Sequence, residues 1–329
     1  MADDDTHSAR SRGLAALALG ALLLLGACAS DGPQATITFR ADPVASPPST
    51  SSAPVADRPS PALLAAGEIQ VVSLGDKPRR ELRVTPQIGT QRVEITTTSR
   101  ITVSSAGVRE AATSPTLTQT VEVSVAERGD GRFDVRQEVV DVEVGSDGSP
   151  GSRATAASTA EAMVGMVTTG VLDDRGQMTD LDIDLPDDAP QLVTMVLDQM
   201  KTTLGQMATP VPEAAIGVGG SWTTTQPIDL LGATATTTTT FTVASLDESG
   251  YTVRSVIRMA SLPDQAISVS GQTGTLVALS GSGSGVATVR PGQLVADTRG
   301  RSRTRQTLEV DGQTLEQEVR TTVRARPAD

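Results

Sequence analysis

Three stretches decide the fold: residues 91–104 (QRVEITTTSRITVS), 116–127 (TLTQTVEVSVAE) and 132–144 (RFDVRQEVVDVEV). They are rich in Val, Ile and Thr, and their polarity alternates with a period of two residues. This pattern is typical of half-buried antiparallel strands. Residues 128–131 (RGDG) predict a hairpin turn between the last two strands. The alternation changes phase at residues 139–140, which predicts a β-bulge there.

The same alternation returns in the last third of the chain. Residues 234–244 place apolar and threonine side chains on one face, and residues 251–259 place apolar side chains and one serine on one face. The Asp311-Gly312 pair is a strong signal for a two-residue hairpin turn. With Val310 paired with Gln313, three further pairs lie opposite each other: Arg305 and Glu318, Arg303 and Arg320, and Leu308 and Leu315.

The centre of the chain has helical spacing instead. Ser158 and Glu161 fit a capping box, and the apolar positions that follow predict a short helix over residues 155–169. Residues 173–176 (DDRG) then predict a second hairpin turn.

A longer helix is expected to begin near Pro190, after two aspartates, and to end before Pro210. Its apolar stripe consists of Leu192, Val193, Val196, Met200, Leu204 and Met207.

These patterns predict an α+β, β-dominated fold, with a long curved antiparallel sheet that is half-barrel-like and has two central helices. We expect one domain over residues 62–327. It contains strands in 68–145, helices and a hairpin in 153–209, and strands again in 216–326.

The N-terminus carries a targeting pattern. Arg10 and Arg12 precede an apolar run over residues 13–26, which has the length of a secretory signal and is shorter than a membrane-spanning helix. The run leads into the sequence LGAC at residues 25–28, which resembles the lipobox of bacterial lipoproteins. The resemblance implies cleavage before Cys28 and lipidation of its sulfur, with palmitate among the acyl chains. A plain secretory signal is the alternative.

Residues 1–27 are therefore expected to be a signal peptide. Residues 28–61, rich in Pro, Ser and Ala, are expected to form a disordered tether behind the lipidated cysteine. This arrangement places the protein in the cell envelope, on the extracytoplasmic face of the cytoplasmic membrane or in the outer membrane. The membrane, bound through the N-terminal lipid, is the first expected partner.

The composition disfavours several function classes. The 329 residues carry a net charge of −12, which disfavours nucleic acid as a partner, and only 2% are aromatic, too few to line a haem or nucleotide pocket. Cleavage removes His7, the single histidine, and the lipid occupies Cys28, the single cysteine. Ser-His-acid catalysis and the usual zinc ligands are then excluded. We expect no catalytic residue, no metal site and no cofactor.

Five apolar side chains of the two predicted helices are candidates for lining a ligand cavity, because methionine adapts to varied apolar ligands. They are Met163, Met166, Val193, Met200 and Met207. The alternative is that they fill the core of a chain with few aromatic residues.

A second candidate site is a local basic band of arginines that share one parity on adjacent strands. Its members are Arg299, Arg301, Arg303, Arg305, Arg320 and Arg324. Such a band fits anionic lipid headgroups or an acidic envelope polymer. The alternative is an ordinary solvated face that nearby glutamates partly neutralise.

The glycine-rich residues 281–285 (GSGSG) are expected to form a loose loop or a bulged strand. A phosphate-binding loop would need a lysine and a helix directly after the glycines, and neither follows here.

Residues 212–222 (PEAAIGVGGSW) resemble a pattern in uncharacterised lipoproteins of GC-rich bacteria. In that pattern a helix and a proline precede a Val-Gly-x-Gly-x-Trp segment at the start of a strand. A looser likeness, of architecture alone, is to the half-barrel lipoprotein and glycolipid carriers. Neither resemblance assigns a role to any residue.

We therefore expect a non-enzymatic, lipid-anchored cell-envelope lipoprotein that acts as a surface binding or scaffold domain. The alternative is a carrier of lipid or another apolar ligand between the sheet and the Met-rich helices. A carboxylate-based hydrolase is a third class. The likeliest acids, Asp180, Asp182 and Asp184, alternate along one predicted strand on an outward-facing parity, which argues against it.

The variant Cys28→Ser should release the protein from membranes, because acyl chains on this sulfur supply the expected anchor. Membrane and soluble fractions of the producing cells, probed with an antibody, measure the effect. An unchanged membrane fraction would refute the lipobox interpretation.

Overall fold

Alternating β-branched and polar residues run through most of the described chain, and they form strands. The computed structural model describes residues 69–84, 86–105, 107–184, 211–230, 233–269, 272–290, 296–310 and 312–328. Within these ranges lie one helix, α1 (Pro150–Met163), and fourteen strands. The strands are β1 (Ile69–Ser73), β2 (Gly89–Ser105), β3 (Val108–Thr113), β4 (Leu117–Gly129), β5 (Arg132–Val144), β6 (Val167–Asp173), β7 (Met178–Asp184), β8 (Ser221–Leu230), β9 (Ala233–Asp247), β10 (Gly250–Ser261), β11 (Gln265–Val269), β12 (Gln272–Val289), β13 (Asp297–Val310) and β14 (Gln313–Pro327).

All fourteen strands belong to one antiparallel sheet. Its order is β1-β8-β9-β10-β12-β13-β14-β2-β4-β5-β6-β7, with β11 beside β12 and β3 beside β2. The last strand, β14, pairs with β2, so the N-terminal and C-terminal sets of strands meet in the middle of the sheet. The first strand, β1, instead pairs with β8. The two ends of the sheet are therefore β1 and β7.

The three N-terminal strands are confirmed as β2, β4 and β5. The bulge is confirmed as well: Thr120 pairs with Asp141 and Val121 pairs with Val139, which leaves Val140 as the extra residue. A bulge of this kind lets both halves of β5 point their apolar residues to the same side despite the change of phase.

The register of the C-terminal hairpin is confirmed. Val310 pairs with Gln313, and the pairing continues without a shift to Thr298 and Ala325. The predicted pairs of β13 and β14 all lie opposite each other: Arg305 and Glu318, Arg303 and Arg320, and Leu308 and Leu315.

The bounds predicted for the first helix are wrong. Instead of spanning 155–169, α1 begins at Pro150, and the Oγ of Ser149 caps it by accepting a hydrogen bond from the amide of Ser152 at 3.1 Å. The Ser-Pro pair is a helix start because proline suits the first helical turn. The chain turns at Gly165, whose φ is 85°, and the residues after Met166 pair with β5 as β6. The second helix predicted, together with Val193, Met200 and Met207, lies outside the described residues.

The core shows that the sheet is curved. Phe133 on β5 and Trp222 on β8, far apart in the strand order, belong to one cluster of buried apolar side chains. A flat sheet could not bring them together. Trp222 is fully buried and stacks on Phe241, with ring centroids 5.3 Å apart. We call the side of the sheet that faces this cluster the core face and the opposite side the outer face.

A second, smaller cluster of buried residues lies on the core face toward the other end of the long strands. It contains Ala235, Ile267, Leu276, Leu279 and Leu308. The expected β-dominated, curved antiparallel sheet is thus present, with apolar packing at both ends.

Two irregular segments, 74–84 and 211–220, run antiparallel beside each other and together form what we call the clasp. Arg80 and Ile216 exchange both backbone hydrogen bonds, at 3.1 and 2.9 Å, and the amide of Asp76 donates to the carbonyl of Val218 at 2.8 Å. Both segments continue into the pair β1 and β8. Leu82, Val84, Val211 and Ile216 point inward from the clasp and are almost fully buried.

The clasp also reaches the other end of the sheet. The amide of Val84 donates to the carbonyl of Asp174 at 2.8 Å, and the amide of Val211 donates to the carbonyl of Arg175 at 2.9 Å. Asp174 and Arg175 lie in the turn between β6 and β7. Arg83 adds an ion pair with Asp174. The clasp therefore ties the β1–β8 end of the sheet to the β6–β7 end.

Gly217→Ala should destabilise the protein by about 2 kcal/mol or more, because a Cβ there would lie 1.8 Å from the carbonyl oxygen of Asp76. Gly300→Ala is the matched control, since the nearest atom to its added Cβ is 3.6 Å away. Urea unfolding followed by far-UV circular dichroism measures both variants. Equal midpoints for the two would contradict the role given to the clasp.

Candidate functional site

Residues 281–285 lie inside a regular strand. They pair with β10 and with β13 without a register shift, so the expectation of a loose loop or bulge is wrong. Because the glycines alternate with serines, Gly281, Gly283 and Gly285 share the core face, and the serines share the outer face. This stretch of β12 therefore presents no side chain toward the inside of the curved sheet.

Gly285 is part of a depression that crosses several strands. On one line across the core face, Phe241, Ser255, Gly285, Gly300 and Val323 are successive partners on β9, β10, β12, β13 and β14. Along this line the side chains become smaller, from the ring of Phe241 to the hydroxymethyl group of Ser255 and then to the two glycines. They become larger again at Val323. The floor of the depression is the paired Gly285 and Gly300.

The depression forms an open groove of about 170 Å³. Its lining is mainly apolar, with a few hydroxyl groups among the apolar ones. The apolar lining includes Trp222, Phe241, Tyr251, Val253 and Val289, and the hydroxyl groups are those of Ser255, Thr298, Ser302 and Thr321.

Burial in the apolar lining raises the pKa of Tyr251 far above its usual value, so its phenol stays neutral at any physiological pH. With a mainly apolar lining and a few neutral hydroxyl groups, the groove suits a largely apolar ligand that has a small hydrogen-bonding part. An apolar cavity of about 150 Å³ can hold a benzene molecule, so this groove fits a single aliphatic chain better than a bulky ring system.

Of the cavity residues predicted from the sequence, Met163 and Met166 are buried in the main core. The thioether of Met163 is 3.9 Å from the side-chain nitrogen of Gln119. The groove lies elsewhere, on β8–β10 and β12–β14, and sequence reasoning missed it. The signal that could have found it was the common parity of the three glycines in residues 281–285.

The predicted basic band lies on the outer face. Arg299, Arg301, Arg303 and Arg305 alternate along β13, and Arg320 and Arg324 are on β14 next to them. The structure therefore brings all six predicted arginines together.

Glu318 on β14 holds three of these arginines. Its carboxylate is 2.5 Å from Arg303, 2.9 Å from Arg305 and 2.6 Å from Arg320, and its side chain is only 14% exposed. Hydrogen bonds from Arg303 and Arg305 lower the pKa of Glu318 to about 2, against desolvation. The three guanidinium groups are thereby held in fixed positions.

The band is wider than the sequence predicted. Arg100 on β2 is the partner of Arg320, and Arg254 and Arg258 on β10 lie on the outer face beyond the serines of β12. No local pattern in the sequence could add these residues, because they come from strands whose neighbours are distant in the chain.

Cys28 lies outside the described residues. Within the described ranges, no helix has the length and apolar character needed to span a membrane. In the same ranges no group of three or more His, Cys, Asp or Glu side chains is placed to hold a metal ion.

The segment 212–222 forms one half of the clasp and leads into β8. Its two glycines at 219 and 220 are adjacent, whereas one residue separates them in the Val-Gly-x-Gly-x-Trp pattern. Gly219 donates to the carbonyl of Val243 at 2.9 Å, so this segment is tied to β9 as well.

No protein-family model matches the chain, and no curated protein matches it. Among solved structures, the chain is similar to the translocator domain of autotransporter NalP from Neisseria meningitidis, with 6% identity and a TM-score of 0.18. The alignment covers 72% of this chain and 88% of that chain. A TM-score this low carries no argument about fold or function.

Glu318→Gln should lower stability at neutral pH, and the difference from the wild type should shrink as pH falls. The folded-state pKa of about 2 lies below the ordinary value of 4.5, so the carboxylate stabilises the fold above pH 4.5 and loses that effect between pH 4.5 and 2. Urea midpoints of both proteins at pH 7, 4 and 2.5 measure it. A constant difference across this range would contradict the ionic role of Glu318.

Proposed function

We propose that this chain is a non-enzymatic, lipid-anchored protein of the cell envelope whose curved sheet binds an amphiphile with an aliphatic chain. Of the two functions that the sequence leaves open, the geometry supports the apolar-ligand carrier best. The observation that carries the proposal is the open groove on the core face, with its paired glycine floor.

The shape of the groove supports an elongated ligand. On the core face, β12 offers Gly281, Gly283, Gly285 and Ala287 in succession, and β13 offers Ser302, Gly300 and Thr298 beside them. The groove lies over Gly285 and Ala287 of β12 and over these three residues of β13, whereas the side chain of Met259 covers Gly281. A linear aliphatic chain can lie in van der Waals contact with such a backbone floor, and a branched or cyclic group cannot do so along its whole length.

The polarity of the groove supports an amphiphile. The apolar part of the ligand would contact the Trp222 and Phe241 rings, whose apolar surface gains from burial. The hydroxyl groups of Ser255, Ser302 and Thr321 would bond a polar head. We expect the groove to bind its ligand without reacting with it. The lining contains serine and threonine hydroxyls but no histidine or carboxylate that could activate them as nucleophiles.

The proposed location fits such a ligand. A lipid on Cys28 and a tether over residues 28–61 would hold the domain about 30 Å from a membrane, near a supply of aliphatic molecules. The surface binding or scaffold domain expected from the sequence is the other candidate function, and it requires no internal ligand.

Ser255→Phe should abolish ligand binding, because a ring at this position would lie across Gly285, where even a Cβ would be only 2.8 Å from the Oγ of Ser255. The adjacent Val256→Phe is the matched control, since Val256 lies on the outer face and is 50% exposed. The measurement is native mass spectrometry with solvent extraction on the full chain purified from the producing cells, which separates bound from covalently attached lipid.

The wild type and Val256→Phe should each release about one non-covalent aliphatic molecule per chain, and Ser255→Phe should release none. A folded wild-type protein that releases no non-covalent aliphatic molecule would overturn the proposal. Equal ligand content in both variants would place the ligand outside the groove.

A further inference from the structure

The strongest unassigned feature of the molecule is a block of arginines on the outer face. It comprises four successive outward positions on each of β10, β12, β13, β14 and β2. Nine of these positions are arginines and one is acidic, Glu318. The arginines are Arg100, Arg254, Arg258, Arg299, Arg301, Arg303, Arg305, Arg320 and Arg324. In a chain with a net charge of −12, this concentration of positive charge leaves the remainder more acidic still.

We propose that this arginine block binds a linear anionic polymer with phosphodiester charges. The block projects from the outer face of the sheet, whereas the ligand proposed for the groove lies on the core face, and Arg299 and Arg301 also border the groove. The proposal names a second binding surface and the class of partner that fits it.

The spacing of the arginines supports a linear partner. Arg299, Arg301, Arg303 and Arg305 occupy alternate positions of β13, so neighbouring side chains emerge about 7 Å apart and the row spans about 20 Å. A glycerol unit between two phosphates separates their charges by a similar distance when the polymer is extended. Guanidinium groups also bind phosphate in a bidentate geometry that lysine cannot reproduce.

The surroundings of the row supply further donors. The outward residues of β12 beside it are Ser280, Ser282 and Ser284, and the Nε of Arg301 donates to the Oγ of Ser284 at 3.2 Å. On the other side, Thr322 and Thr98 are paired on β14 and β2. Hydroxyl groups next to guanidinium groups suit the remaining phosphate oxygens.

Part of the block is held in place before any partner binds. Glu318 fixes Arg303, Arg305 and Arg320, so less side-chain entropy is lost when a polymer contacts them. The Nε of Arg303 is buried without a hydrogen bond among the described residues. Arg299, Arg301 and Arg324 are exposed at the edge of this group.

The charge distribution favours a thin polymer over a membrane surface. Charges are screened beyond about 8–10 Å in physiological salt, so a polymer lying on β13 is attracted by the block alone. A broad anionic membrane would also face the acidic remainder of the chain. A nucleic acid is disfavoured because no position of the block is aromatic, and bases bind single-strand sites largely by stacking.

The test uses the purified full chain and synthetic poly(glycerol phosphate), with binding measured by calorimetry at several salt concentrations. Arg299→Ser, Arg301→Ser and Arg324→Ser are combined in one variant, since none of these residues belongs to the Glu318 cluster. The matched control combines Arg109→Ser, Arg128→Ser and Arg132→Ser, which removes the same charge from exposed positions on β3, β4 and β5.

The wild type should bind with a strong salt dependence. The block variant should lose more than tenfold in affinity and lower the slope of log K against log salt by about 2, and the control should stay within twofold. A third variant with lysine at the same three block positions should keep the slope and lose affinity, because its charge is retained and its bidentate contacts are not.

Equal losses in the block variant and the control would overturn the proposal, because binding would then follow net charge alone. Tighter binding to phosphatidylglycerol vesicles than to the polymer would assign the block to a membrane instead. Equal affinity for an oligothymidylate with the same number of phosphates would assign it to nucleic acid. The urea midpoint of each variant shows that it is folded.

Discussion

The backbone hydrogen bonds of the clasp are the constraint on which the rest of the structure depends. The chain has few aromatic residues, so a flat sheet of Val, Thr and Ala could bury little on either face. By tying the β1–β8 end to the turn between β6 and β7, the clasp keeps the sheet curved around one core. Curvature lets the stacked Trp222 and Phe241 contact side chains from distant strands. The same curvature makes the core face concave, and the groove lies on this concave face.

The period of two residues then gives the same strands two separate surfaces. On β12 and β13, one parity presents glycines, serines and threonines to the inside, and the other presents serines and arginines to the outside. Small residues on the inner side leave room for a ligand, and long charged residues on the outer side extend into solvent. A shift of one residue between these strands would exchange the two sets. The unbroken register of the C-terminal hairpin therefore protects both surfaces at once.

Features set by neighbours in the chain could be predicted from the sequence. The strands β2, β4 and β5, the bulge at Val140 and the register from Val310 and Gln313 all follow from alternation and turn residues. The start of α1 could have been predicted too, because Ser149 and Pro150 form a helix start that the capping-box pattern at Ser158 obscured. The groove and the full arginine block could not, because Gly285 meets Gly300, and Arg100 meets Arg320, only through pairings between distant parts of the chain.

The pairing of β14 with β2 has a consequence for how the chain folds. The seventeen-residue β2 pairs on one side with β4, which follows it closely in the sequence, and on the other side with β14, about two hundred residues further on. Until residue 327 is available, β2 presents an open edge of Thr, Val and Ile, the kind of edge that pairs with other chains. Long-range pairing of this sort is slow to form. β14 must therefore be synthesised before the sheet can close, and a product truncated before β14 would be left with a template for aggregation at its centre.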